Sequence, residues 1–148
     1  MIPPFDPTGL LPPGIHQADT WQEFADRFGH TSHRQKLLLG MKSALLSLKN
    51  AGCKQVYVDG SFVTVKEHPN DFDICWDIEG VNPNLLNPLL LKLDDGRSAQ
   101  KVKYLGELFP AQVKEKGSGQ TFLNFFQIDK ATGGSKGIVV LKLWEIWS

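Results

Sequence analysis

The chain has 148 residues, 41% of them apolar, and its sixteen Lys and Arg balance sixteen Asp and Glu. That length supports one packed domain, and a balanced charge gives no net field, which argues against strong nonspecific polyanion binding. The start Met1-Ile2-Pro3-Pro4-Phe5 lacks the layout of a secretory signal, no segment has the roughly twenty apolar residues of a membrane helix, and Cys53 and Cys75 have no metal-type spacing; a cytoplasmic protein with reduced, buried thiols and no membrane partner is expected.

Residues 1–18 are rich in Pro and Gly, which forbids a helix and predicts an extended, turn-rich arm lying along the domain or a partner. The core is predicted over 19–148. Thr20-Trp21-Gln22-Glu23 matches a capping box, so a short helix should run to Phe28 and stop at Gly29 in a left-handed conformation. Ser32-His33-Arg34-Gln35 repeats the box. The stripe Leu38, Met41, Leu45 and Leu48, widened by Leu37 and Ala44, predicts a longer helix closed by Asn50-Ala51-Gly52. Arg34, Lys36 and Lys42 on that helix read as a solvated face.

Strands are predicted over Gln55–Asp59 and Asp71–Ile78, with a helical turn between them ahead of the Pro69-Asn70 bend. Asn82-Pro83 and Asn87-Pro88 each read as an N-cap followed by Pro, predicting one interrupted helix or two short ones over Pro83–Leu93. Asp94-Asp95-Gly96 reads as a turn. A third strand is predicted over Gly106–Phe109, a solvated loop over Lys114–Gly119, and a helix over Thr121–Ile128 whose Phe122, Phe125 and Phe126 face the core. Gly137–Leu141 is a β-branched strand, and Trp144 and Trp147 either cap the core or mark a binding edge. The expected architecture is α/β (α+β), with a small mixed or antiparallel sheet of about three to five strands and helices packed on it.

The chemistry gathers where the first two of these strands meet. Asp71 and Asp73, at i and i+2 on an extended strand, point to one face and can share a divalent cation; Phe72, Ile74 and Trp76 anchor the other face. Gly60-Ser61, leaving the preceding strand, offers backbone N–H groups and a hydroxyl to a phosphate. These are the parts needed to hold a metal-bound nucleoside triphosphate. Lys66 lies on the intervening loop and can reach a triphosphate. Asp59 is as suited to capping local N–H groups as to catalysis, and Asp77 shares the face of Asp73. The four histidines lack ligand spacing, and neither a Gly-x-Ser-x-Gly elbow nor a Walker loop is present.

Gly60-Ser61 followed by Asp71-x-Asp73 resembles the signature of the minimal nucleotidyltransferases of the polymerase-beta type. The resemblance covers about Gln55 to Phe109. The flanking Pro12-Pro13-Gly14-Ile15-His16 and Lys136-Gly137-Ile138-Val139 look like those of a small bacterial group of uncertain function assigned to that fold. The resemblance implies that Gly60 and Ser61 hold the triphosphate, that Asp71 and Asp73 bind Mg²⁺, and that a third carboxylate completes the site. Glu107, on the predicted third strand, is the candidate; Asp129 is the rival. The family most often has Asp where this chain has Glu.

The implied activity is Mg²⁺-dependent transfer of a nucleoside monophosphate to an acceptor, either an RNA such as tRNA or a protein, in a toxin–antitoxin or defence module with a cognate partner protein. Two alternatives stand beside it. One is a catalytically inactive nucleotidyltransferase-like binding protein or antitoxin acting through a protein partner, and the other a metal-dependent phosphohydrolase using the same acidic cleft. Convergence of Glu107 on the aspartate pair separates the first alternative from the enzyme.

Overall fold

Two threonine hydroxyls start the helical layer. Thr20 Oγ1 accepts the Glu23 N–H at 3.0 Å and opens α1 (Trp21–Phe28), and Thr31 Oγ1 accepts the Arg34 N–H at 3.1 Å and opens α2 (Ser32–Asn50). The second cap therefore lies one residue before the Ser32 box. In the first, Glu23 does not turn back to Thr20: its carboxylate accepts the N–H groups of Asp19 and Ile2 and ties down the chain's start. Gly29 is not left-handed, since its φ is −98°. Glycine is needed there for space, because a Cβ would sit 2.5 Å from the Ala25 carbonyl oxygen.

The computed structural model describes residues 1–91 and 97–147. Five strands, β1 (Gly14–Gln17), β2 (Gln55–Asp59), β3 (Phe72–Trp76), β4 (Gly106–Pro110) and β5 (Gly137–Lys142), form one mixed sheet in the order β1-β5-β2-β3-β4. β2 is antiparallel to both β3 and β5, whereas β4 runs parallel to β3 and β1 parallel to β5. A parallel pair needs a long crossover. Between β3 and β4 that crossover includes a 3₁₀ turn at Pro88–Leu91 and a helix, α3 (Ser98–Tyr104), where no helix had been expected after the Pro83–Leu93 segment. The predicted Asp94-Asp95-Gly96 turn lies outside the described residues.

The strand predicted over Asp71–Ile78 is shorter at both ends, and the segment predicted as a helix over Thr121–Ile128 is regular only in α4 (Phe122–Phe125), capped by Thr121. β1 falls inside the Pro-rich segment, whose Ile2 and Leu11 are buried in the main core. Among the described residues, no helix is long and apolar enough to cross a membrane.

Alternation sorts the sheet into two faces. Val56, Val58, Phe72, Ile74, Trp76, Leu108, Val139 and Leu141 meet Phe24, Phe28, Met41, Leu45 and Leu48 of α1 and α2 in the main core. Each such side chain contributes about 1.5–3 kcal/mol by leaving water. The C-terminal segment closes one end of this layer, with Trp147 5.3 Å from Trp21 and Trp144 exposed. Phe109, on the opposite face, belongs with Cys75 and Ala111 to a smaller cluster under Tyr57, Phe122 and Phe126.

Arg34 is not on a solvated face: it is fully buried. Its guanidinium donates through Nη1 to the carbonyls of Phe28 (3.1 Å) and Phe62 (2.7 Å), through Nη2 to Thr64 (2.9 Å) and Lys66, and through Nε to Lys66 (3.1 Å). It also lies 4.9 Å over the Phe62 ring. α2 thereby holds the whole segment that follows the Gly60-Ser61 turn. Arg34→Lys keeps the charge but cannot reproduce a planar fork of donors. It should destabilise the fold by about 3 kcal/mol, read as a lower denaturant midpoint with an unchanged slope.

Candidate functional site: a carboxylate row beside a glycine turn

Register places three acids abreast. Asp59 of β2 is opposite Asp73 of β3, which is opposite Glu107 of β4, so their side chains project from the same face of three adjacent strands. Asp71, two residues ahead of Asp73 and just outside β3, adds a fourth. One carboxylate oxygen from each of Asp71, Asp73 and Glu107 lies within 4.8 Å of the others. Asp129 is not part of this group. Its side chain accepts the Thr132 hydroxyl at 2.9 Å and the Ala131 N–H at 3.3 Å within a turn of its own.

Gly60 makes the approach possible. It has φ +73°, and a Cβ there would lie 2.3 Å from Asp73 Oδ2, so the carboxylate rests against the turn where any other residue would displace it. The turn continues as a 3₁₀ segment over Gly60–Val63. Ser61 is exposed, and its carbonyl accepts the Thr64 hydroxyl at 2.7 Å. Lys66 is exposed on the loop whose backbone Arg34 grips, and its charge favours ionised Asp71, after the larger contributions of Lys101 and Arg97.

Like charges and burial work against ionisation in the row. Asp73 is pushed up to about 7, first by burial and then by Asp71 and Glu107. Asp71 is raised by burial and by Glu107. Asp59 is fully buried, and its carboxyl is held well above the usual range by burial and by Asp73. Its Oδ2 accepts the Cys75 thiol at 3.6 Å, while Oδ1 has no hydrogen-bond partner among the described residues. Asp59 thus caps no backbone N–H group of the turn. Asp77, by contrast, is satisfied by the Gln112 amide at 2.6 Å and the Glu79 N–H at 2.9 Å, which makes it structural.

Cations surround the row. Glu107 pairs with Arg97 and, at 3.3 Å, with Lys101, while Lys136, immediately ahead of β5, and Lys130 favour ionised Asp73. Sequence reasoning had assigned none of Arg97, Lys101, Lys130 and Lys136 to the row. Arg97 precedes α3 as its N-cap, with φ +60°, and Lys101 lies within the helix, so both positions depend on an element the sequence reading had not placed. The carboxylates also separate two hollows. One of about 410 Å³ is lined by His33, Lys36, Asn70, Asp71 and Lys101; the other, of about 310 Å³, has Asp73 and Glu107 at one side and phenylalanine rings at the other.

The fold and site together define a mixed α+β domain with a carboxylate-lined cleft on one face of its sheet. Residues 3–142 match the family of unknown function DUF6932, and the chain belongs to that family. No curated protein and no solved structure matches the chain.

The raised Asp73 has a measurable consequence. Between its ordinary carboxylate value of 3.8 and its folded value of about 7, the folded chain keeps a proton that the unfolded chain has released. Stability therefore falls as pH rises through that window. In the presence of a chelator, Asp73→Asn should be more stable than the wild type at pH 8, by on the order of 2 kcal/mol. The difference should disappear on acidification below the window, as thermal unfolding at several pH values will show.

Proposed function

We propose that the chain is a Mg²⁺-dependent nucleotidyltransferase of the polymerase-beta type, moving a nucleoside monophosphate from a nucleoside triphosphate to an RNA or protein acceptor. The observation that carries this reading is the convergence of Asp71, Asp73 and Glu107 on one another, against a glycine turn whose backbone touches Asp73. The buried Asp59, with an unpartnered oxygen beside Asp73, adds a strained acidic environment that a cation relieves. An all-carboxylate donor set suits a hard divalent ion.

Asp71, Asp73 and Glu107 would hold Mg²⁺, which would supply there a lowered pKa for an attacking hydroxyl and charge to steady a pyrophosphate leaving group. Gly60 and Ser61 present backbone N–H groups and a hydroxyl to the phosphates, with Lys66 on the adjoining loop and Lys136 at the turn side of the row. Arg97 and Lys101 pair with Glu107 and offset the negative charge of the row. The inclusion of Glu107 favours turnover over an inactive binding protein. A role in a toxin–antitoxin or defence module, with tRNA or a partner protein as acceptor, rests on the family resemblance.

Incubation with each α-labelled nucleoside triphosphate, Mg²⁺ and a cell extract tests the reading. Label should enter a macromolecule with the wild type and fall by at least about 100-fold with Asp73→Ala, the scale of loss expected when an electrostatic support of a transferring phosphoryl group is removed. Equal labelling by the variant removes the site. Labelled nucleotide hydrolysed with no labelled macromolecule favours the phosphohydrolase.

A further inference from the structure

The hollow on the Asp73 and Glu107 side has a chemistry unlike the rest of the cleft. Phe109 of β4 lies 4.7 Å from Phe122 and 5.1 Å from Phe126, and Phe125 meets Phe126 edge-on at 5.2 Å. The three rings of α4 and its C-cap are half-buried and do not enter the main core. They had been expected to pack inward, and Phe122 and Phe126 do so against the smaller core cluster of Cys75, Phe109 and Ala111. They stand over the acidic face of the sheet and leave a cavity of about 310 Å³, at the lower end of the range for small-molecule sites.

Its polar groups are placed at the edges. The Arg97 guanidinium lies 4.8 Å over the Phe109 ring, and Lys130 Nζ lies 5.8 Å from the centre of Phe125. Asp73 and Glu107 of the acidic row line the same cavity, as does Glu115. A chamber with aromatic walls, with two cations and Glu115 also in its lining and a carboxylate cluster at one side, matches a molecule with a flat ring at one end and metal-bound anionic groups at the other.

We propose that this chamber is the subsite for the nucleobase and ribose of the nucleotide whose phosphates the carboxylate cluster engages. The assignment rests on the nucleotidyltransferase reading. The base stacks on the rings of Phe122 and Phe126, a contact every base can make because each has a π face. Arg97 and Lys130 lie at the cavity walls, where they complement the charge of the ribose-phosphate portion. The hollow lined by His33, Lys36 and Lys101, on the far side of Asp71, is left for the acceptor.

Calorimetric titrations with Mg²⁺ present separate this placement from the function it rests on. The probes are ATP, UTP and inorganic tripolyphosphate, which carries the phosphates without base or ribose. The wild type should bind both nucleotides at least about tenfold more tightly than tripolyphosphate. Phe126→Leu should weaken both nucleotides by about tenfold and leave tripolyphosphate unchanged; Phe122→Leu provides the same comparison if the first variant does not keep the wild-type unfolding midpoint.

Saturation-transfer spectra should show the largest transfer on the base protons in the wild type, and reduced transfer in the variant. Equal affinity of wild type for ATP and tripolyphosphate, or unchanged ATP binding in folded Phe126→Leu and Phe122→Leu, overturns the base subsite while nucleotidyl transfer stands. In that outcome the rings are free to receive an aromatic group of the acceptor. Failure of every phosphate probe to bind in the presence of Mg²⁺ removes the transferase reading and the subsite with it.

Discussion

The structure depends on a buried cation whose partners among the described residues are backbone carbonyls and no carboxylate. Arg34 sits inside α2 with its charge spread over the carbonyls of Phe28, Phe62, Thr64 and Lys66, and burial lowers its pKa from the usual guanidinium value. Backbone dipoles stand in for a carboxylate. The arrangement is costly unless every donor is used, so the loop after Gly60 has little choice of path. That loop starts at the residue whose missing Cβ admits the Asp73 carboxylate. A helix residue 27 positions upstream of Ser61 thus shapes the wall of the acidic cleft.

The cleft itself works against the fold that carries it. Asp59, Asp73 and Glu107 are set abreast by strand register, and the pairing that buries Val58, Ile74 and Leu108 on the other face leaves them no alternative. Hydrophobic burial on one face therefore holds like charges together on the other. Arg97, Lys101, Lys130 and Lys136 moderate the repulsion from three directions, which leaves the neutral whole-chain charge uninformative about the strong local fields. The acidic row is thus held by hydrophobic burial on one face and moderated by cationic side chains on the other.

Local signals were legible where a short-range rule decides the outcome. The apolar stripe of α2, the cap at Thr20, the limits of β2 and the alternation of Phe72, Ile74 and Trp76 all follow from periods and hydrogen-bond needs contained within a few residues. The misreadings share one cause. Gly29 and Arg34 each carried a reasonable local interpretation, and each was decided by how the surrounding chain packs against it, as was the site of the phenylalanines near α4. Gly29 answers the crowding by Leu38 and Ala25, Arg34 the loop beyond Phe62, and the rings the second face of β3 and β4, where they cover Cys75 and Phe109.

The sequence by itself determined that Asp71 and Asp73 share a face, because alternation along an extended chain is a property of the backbone. It also placed a permissive glycine and an exposed serine at the end of the preceding strand. Tertiary structure decided which acid joins the pair: the parallel register of β3 and β4, fixed by a crossover through α3, brings Glu107 beside Asp73 and leaves Asp129 in its own turn. It likewise decided which cations face the row and that three rings line a chamber and do not enter the main core. Those outcomes depend on which segments meet across the sheet, and the energy that selects the meeting is summed over the whole core and is not written in any one stretch of chain.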